Sequence, residues 1–317
     1  MFRGFSFVPP NTKIDFIGMR GISFFVSALV MVLSLVAAQV YGLNFGIDFK
    51  GGTLIEISTK APQADLATLR STLNDLDLGE VQIQQFGEPN DVLIRIGEQD
   101  SEGAQQATVG KVKEALGDQV AEYRRIETVG ATISTELIYM GTIAVVVAMG
   151  AILLYVWFRF EWQFAVAAIA ALTHDVVSAI GLFCIFQLEF NLAALAAILT
   201  IIGYSLNDTV VVFDRIRENL RKYRKLPMAD LIDLSINETL SRTTLTHFTT
   251  FLAVLALYLF GGKVIENFNI AMLWGIVVGA YSSIFVASPL LLVLGMRRDW
   301  GATATTKRAK SGSPVGV

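Results

Sequence analysis

Six stretches of this chain are apolar for long enough to cross a lipid bilayer: roughly residues 21–41, 138–158, 164–186, 192–213, 243–260 and 268–294. A hydrocarbon layer about 30 Å thick takes about 20 apolar residues in helical form. Within it every backbone N–H and C=O must be paired internally, which leaves helices or closed barrels. The runs are too long for barrel strands, so the chain is expected to fold as a membrane all-α six-helix bundle. Of its 317 residues 53% are hydrophobic and 17% charged, against about 25% charged in soluble domains. The net charge of −3 offers no basic surface for nucleic acid. The one cysteine, Cys184, lies inside an apolar run, which rules out a disulfide within the chain and a multi-cysteine metal site.

The first run is read as a retained spanning helix over 21–42. It is longer than the apolar core of a signal peptide and leads into Tyr41-Gly42-Leu43-Asn44, not a small-residue cleavage site. Short turns at 159–162 and 187–191 force the runs they join to lie antiparallel. Lys and Arg set the orientation. Arg3, Lys13 and Arg20 precede the first run; Arg215, Arg217, Arg221, Lys222, Arg224 and Lys225 follow the fourth; Arg297, Arg298, Lys307, Arg308 and Lys310 follow the sixth. Six crossings put all three groups on one side, the cytoplasm. Residues 1–20 are then a cytoplasmic N-terminus, 137–296 hold spans two to six with a basic cytoplasmic loop at 214–240, and 297–317 form a cytoplasmic tail. That tail has no apolar period and is expected to be disordered.

Residues 43–136 fall outside the cytoplasm as a small inserted domain. It is acidic, with 16 Asp plus Glu against 8 Lys plus Arg. Strand patterns at 53–59, 81–86, 91–96 and 122–129 alternate with helical spacing at 63–76 and 101–116. The order is βαββαβ, an α+β ferredoxin-like arrangement.

Ionisable residues inside the apolar runs carry the functional signal. A charge at the bilayer centre costs about 2.5–3.5 kcal/mol on insertion scales, so such groups face protein or water and usually have a task. His174 and Asp175 lie near mid-bilayer in the third run. Asp208 stands six residues before Asp214, about 9 Å deep at helical rise. Arg242 enters the fifth run from the same side, so a pair with Asp208 is geometrically reasonable. Thr246, Thr249 and Thr250 share one helical face with Arg242, as do Thr200, Tyr204 and Asp208 on the fourth run. His174, Asp175, Asn207 and Thr246 make a secondary polar set. Bland alternatives stand beside these. Asp208 and Arg242 fit a static ion pair, Arg242 fits a snorkelling anchor, and His174 with Asp175 fits a structural hydrogen bond. Gly275 and Gly279 form a small-xxx-small packing motif.

Catalytic signatures are missing. The sequence has no His-Glu-x-x-His, no Gly-x-Ser-x-Gly, no phosphate-binding loop and no Gly-x-Gly-Asp. Nothing calls for a cofactor or a metal.

Three stretches carry a family resemblance. Phe45-Gly-Ile-Asp48-Phe-Lys-Gly51-Gly52 looks like an Asp-x-x-Gly-Gly signature. Gly203-Tyr-Ser-Leu-Asn-Asp208-Thr-Val-Val-Val-Phe-Asp214-Arg215-Ile-Arg217-Glu218 and Asn237-Glu-Thr-Leu-Ser-Arg242-Thr-Thr-Leu-Thr246 look like fourth- and fifth-span motifs. Together, over residues 12 to 297, the chain resembles the SecD/SecF family on its SecF side, within the resistance-nodulation-division (RND) superfamily. The resemblance implies an RND-type half-bundle in the bacterial cytoplasmic (inner) membrane, paired with SecD about a pseudo-twofold axis. It implies work with the SecYEG channel on translocating preproteins, with YajC as a further partner, driven by proton flow. It implies that Asp208 and Arg242 belong to a proton relay completed by a residue of SecD. Asp48, Gly51 and Gly52 would then form a hinge or a tight turn where the external domain meets the first span. The rival expectations are an RND-type transporter subunit for small molecules or ions, and a non-conducting assembly factor.

Overall fold

The computed structural model describes Pro9, residues 12–99 and residues 101–296; the expected disordered tail lies outside the described residues. Helix α1 (Arg20–Val40) leads through strand β1 (Asn44–Phe45) and the single turn α2 (Ile47–Lys50) into an α+β unit. That unit runs β2 (Gly52–Thr59), α3 (Leu66–Asn74), β3 (Val81–Gln85), β4 (Asp91–Ile96), α4 (Glu102–Leu116) and β5 (Val120–Val129). The bundle continues with α5 (Ala131–Arg159), α6 (Trp162–Phe186), strand β6 (Glu189–Phe190), α7 (Leu192–Lys222) and α8 (Met228–Phe260). A 3-10 turn (Lys263–Ile265) opens the last helical run, α9 (Glu266–Ser282), a π-helical turn (Ser283–Ala287) and α10 (Ser288–Val293). Among the described residues, six helical stretches are long and apolar enough to cross a membrane.

The four-stranded sheet has the order β3-β4-β2-β5, antiparallel throughout. Strand β2 is buried along its whole length because both faces are covered. Ile55 and Ile57 pack with Leu69 and Leu73 of α3 and Val112 and Leu116 of α4. Leu54, on the opposite face, packs with Ile47 and Leu93. Arg95 pairs in register with Leu54 and so shares that second face.

The helices run further than their apolar cores. The basic stretch 214–240, expected as a loop, is helical on both sides of a short turn at 223–227. Its Glu, Arg, Lys and Leu residues favour helix, and Asn219 ties the two ends together by donating to Ser235 Oγ at 3.0 Å and Glu238 Oε2 at 2.7 Å. Pro227 then caps α8.

Lipid removes the hydrophobic drive between spanning helices, so close packing needs small residues. A Cβ on Gly275 of α9 would sit 2.3 Å from Ile201 of α7, and one on Gly279 would sit 3.2 Å from Ser205 Cβ. The small-xxx-small motif thus seats α9 on α7. A Cβ on Gly181 of α6 would lie 2.2 Å from Ser34 Oγ of α1, which brings those two helices together in the same way.

Candidate functional site

The close α7–α9 contact brings the buried acids of α6 and α7 to the hydroxyls of α9. Asp175 on α6 is 1% exposed. Its Oδ2 accepts from Ser205 Oγ of α7 at 2.6 Å and Ser282 Oγ of α9 at 2.7 Å. Its Oδ1 lies 3.1 Å from His174 Nδ1. The His174 ring stands beside Tyr281, centroids 5.9 Å apart. Tyr281 in turn donates to Ser23 O of α1 at 2.8 Å.

Asp208 on α7 is 7% exposed. Thr243 Oγ1 of α8 donates to its Oδ1 at 2.7 Å, and Ser283 Oγ donates to its Oδ2 at 2.7 Å. Ser283 opens the π-helical turn. Pro289 lies just beyond that turn and cannot donate a backbone N–H, while Ser288 Oγ donates to Ser283 O at 2.8 Å. One turn along α8 from Thr243, the buried His247 has Nδ1 2.9 Å from Thr243 O. A carbonyl only accepts, so Nδ1 carries the hydrogen. The Nε2 atoms of both His174 and His247 are buried without a partner.

Arg242 does not join Asp208. Its side chain is exposed on the outside of α8, and no ion pair reaches Asp208 among the described residues. Asn207 is likewise exposed, beside Thr200 and Gly203 on one face of α7. The hydroxyls of the predicted threonine stripe on α8 turn to their own helix: Thr246 to Arg242 O at 2.9 Å, Thr249 to Leu245 O at 2.9 Å and Thr250 to Thr246 O at 2.9 Å. The predicted polar set therefore splits. His174, Asp175 and Asp208 are buried in the bundle, whereas Asn207 and Arg242 face outward. Sequence reasoning missed Ser205, Thr243, Ser282 and Ser283. The legible signal was a hydroxyl doublet in an otherwise apolar run, just before Ser288-Pro289.

The Asp-x-x-Gly-Gly segment sits at the other end of α7. Asp48 Oδ2 accepts the backbone N–H of Leu192 at 2.9 Å. Strands β1 and β6 pair in parallel, and Gly46 N–H donates to Phe190 O at 2.9 Å. Arg95 of β4 pairs with Glu189 at 2.5 Å, both side chains mostly buried. Gly51 and Gly52 have φ of +72° and +115°, where L side chains are strained. A Cβ on Gly52 would also lie 2.4 Å from Ile96 O.

Comparison with known proteins places these features in a family. Residues 108–297 match the family described as protein export membrane protein SecD/SecF, C-terminal, and residues 40–63 match the SecD/SecF GG motif. The chain is 45% identical over 300 residues to the protein translocase subunit SecF of Cereibacter sphaeroides, covering 92% of each. It is 43% identical to the protein of that description from Rickettsia bellii, covering 92% of this chain and 96% of the relative. It is similar to the crystal structure of SecDF, a translocon-associated membrane protein from Thermus thermophilus, with a TM-score of 0.82 at 37% identity. A SecDF structure in a super-membrane-facing form gives 0.66 at 36% identity. The chain spans only 40% of either SecDF chain, while those matches cover 92% and 95% of this one. Six apolar helices, a GG motif fastened to the bundle and relatives matched almost end to end together make this a multi-pass membrane protein that belongs to the SecD/SecF family.

Proposed function

We propose that the chain works as the SecF-type subunit of the Sec preprotein translocase. It acts with SecD to use the proton motive force for moving and releasing preproteins across the cytoplasmic membrane. It is an accessory subunit and not an enzyme. SecYEG and YajC are the further partners on this reading. Both termini are cytoplasmic, and the α+β unit is an extracytoplasmic domain of the ferredoxin-like type. The antiparallel strand order β3-β4-β2-β5 with two helices on one face supports that assignment.

The observation that carries the proposal is a buried carboxyl group with hydroxyl donors and no cation. Asp208 holds two hydroxyl bonds and has no ion-pair partner among the described residues. Arg242 stands outside on α8, and Asn207, Gly203 and Thr200 line the outside of α7. Polar residues on a membrane-facing surface are costly unless another helix covers them, and small ones let that helix approach closely. A second bundle carrying its own ionisable group fits that face, and SecD is the partner of that kind. Proton entry then shifts a two-state equilibrium of the paired bundles. A membrane potential supplies about 2.3 kcal/mol per charge per 100 mV, enough to bias such an equilibrium.

The test is export into inverted membrane vesicles carrying Asp208→Asn, with and without a proton gradient. Loss of the gradient-dependent part of export is expected. Export equal to the parent under the gradient would remove Asp208 from the relay, and drug efflux with no export defect would favour a small-molecule transporter.

A further inference from the structure

Asp175 and Asp208 stand on neighbouring helices and are held by consecutive residues of a third. Ser282 Oγ donates to Asp175 Oδ2 at 2.7 Å, and Ser283 Oγ donates to Asp208 Oδ2 at 2.7 Å. Each hydroxyl has a second acceptor on its own helix. Gly279 O lies 3.3 Å from Ser282 Oγ, and Ala280 O lies 3.2 Å from Ser283 Oγ. The doublet stands where α9 widens into the π-helical turn. Ser205, three residues before Asp208 on α7, donates to the same Asp175 oxygen as Ser282. The two carboxyl groups are thus held by hydroxyls of adjacent residues, joined through one peptide.

We propose that Asp175 is a second proton-binding carboxyl group, coupled to Asp208 through Ser282 and Ser283, so that the two acids titrate as one unit. The proposal rests on the reading of Asp208 as a proton site. A proton on a carboxyl oxygen turns an acceptor into a donor. When Asp208 Oδ2 takes a proton, the Ser283 O–H loses its acceptor there and turns to Ala280 O. No covalent bond of the serine changes; only its hydrogen-bond acceptor does. The shift falls on the peptide shared with Ser282, whose hydroxyl faces the same choice between Asp175 and Gly279 O. Each carboxyl group therefore senses the other's proton through the position of the serine doublet.

Few other ionisable groups face these acids. Asp175 meets His174 on its own helix, whose ring stands beside Tyr281 of α9, and Ser205 bonds it from α7, three residues before Asp208. Helix α1 brings the Ser27 hydroxyl and the Ser23 carbonyl, both bonded to the Tyr281 hydroxyl. Tyr204 stands one turn before Asp208 on α7, and on α8 the titratable neighbours of its Thr243 partner are His247, buried, and Arg242, exposed on the outside. Among the described residues only His174 lies within ion-pair distance of either acid. Its Nδ1 lies 3.1 Å from Asp175 Oδ1, and its Nε2 is buried without a partner.

Infrared difference spectroscopy on the full chain in lipid, titrated across pH, reads the C=O stretch of protonated carboxyl groups. The two bands are assigned by their loss in Asp175→Asn and Asp208→Asn. Asp175→Asn is expected to move the Asp208 midpoint by about one pH unit or more, the threshold for interacting sites. In Ser282→Ala/Ser283→Ala both bands remain, and on that background Asp175→Asn no longer moves the Asp208 midpoint. Two outcomes overturn the proposal: no band lost in Asp175→Asn, or one lost with the other midpoint unmoved. If Asp175→Asn does not assemble, the serine double variant decides, and midpoints unchanged from the parent overturn it. Should export keep its full proton dependence in Asp208→Asn while the midpoint shift is present, the transport reading fails and the coupling stands.

Discussion

The carboxylate of Asp48 accepts the backbone N–H of Leu192 at 2.9 Å, so a residue following the first apolar helix caps the start of α7, the helix that carries Asp208. The first N–H groups of any helix lack partners within it, and the N-terminal end of the helix dipole favours negative charge. Asn191 supplies the second cap by accepting from Ala194 N–H at 3.0 Å. Parallel pairing of β1 with β6 and the Arg95–Glu189 ion pair fasten the same place.

Asp48→Ala should loosen this clasp. Loss of an N-terminal cap costs about 0.5–2 kcal/mol. Amide exchange read by mass spectrometry should quicken at the start of α7, with Asp48→Asn much closer to the parent. Unchanged exchange in the alanine variant would mean that the carboxylate contributes nothing to holding α7.

The two glycines should differ in tolerance. At Gly51 an added Cβ meets the far end of Glu98 at 3.2 Å and the Val129 carbonyl at an ordinary 3.5 Å, but at Gly52 it meets the Ile96 carbonyl at 2.4 Å. Strained φ costs of order 1–3 kcal/mol at either position. Gly52→Ala must in addition push apart β2 and β4, so its thermal unfolding midpoint and protease resistance should fall further than those of Gly51→Ala. Equal loss would show that conformation alone, not contact, selects glycine at Gly52.

Apolar run length and alternation made the six helices and the four strands legible, because both periods are written in consecutive residues. Boundaries were less so. The amphipathic ends of α7 and α8 carry too many charges to register as apolar, yet they continue as helix. Burial of Asp208 and Asp175 was legible from their cost in lipid. Their partners were not, since Ser205, Ser282 and Ser283 lie on helices whose rotation is set by packing at Gly275 and Gly279. The outward turn of Arg242 was equally hidden, because depth along a helix says nothing of which face points to the bundle.

Asp65 gives the α+β unit an acid-sensitive cap. Its carboxylate accepts from Thr68 Oγ1 at 2.6 Å and from the N–H groups of Thr68 and Ala67 at 3.1 Å. The Thr68 hydroxyl first, then the Thr68 N–H, hold it below the usual carboxylate range. The folded state therefore binds this proton less readily than the unfolded chain. The cap's contribution is complete above the unfolded value and is lost as pH falls through the lowered folded one. In Asp65→Asn the unfolding midpoint of the unit should lose that part of its acid dependence. An identical pH profile would exclude the cap from the acid response.

Arg242 makes the sharpest demand on the proposed assembly. Its side chain is exposed on α8 and makes no ion pair among the described residues, so within this chain it stabilises little. Arg242→Lys should leave the thermal stability of the isolated chain within about 0.5 kcal/mol of the parent, as for surface substitutions generally. Function should respond differently. A guanidinium presents a planar fork to a carboxylate, whereas an ammonium is a compact point charge, and the two are not equivalent at a bidentate site. If Arg242 meets an acid of the partner bundle, or Asp208 after rearrangement, gradient-driven export should fall sharply in the lysine variant although its charge is kept. Full export with lysine would reduce the requirement to a positive charge at the interface and argue against a fork-like pair.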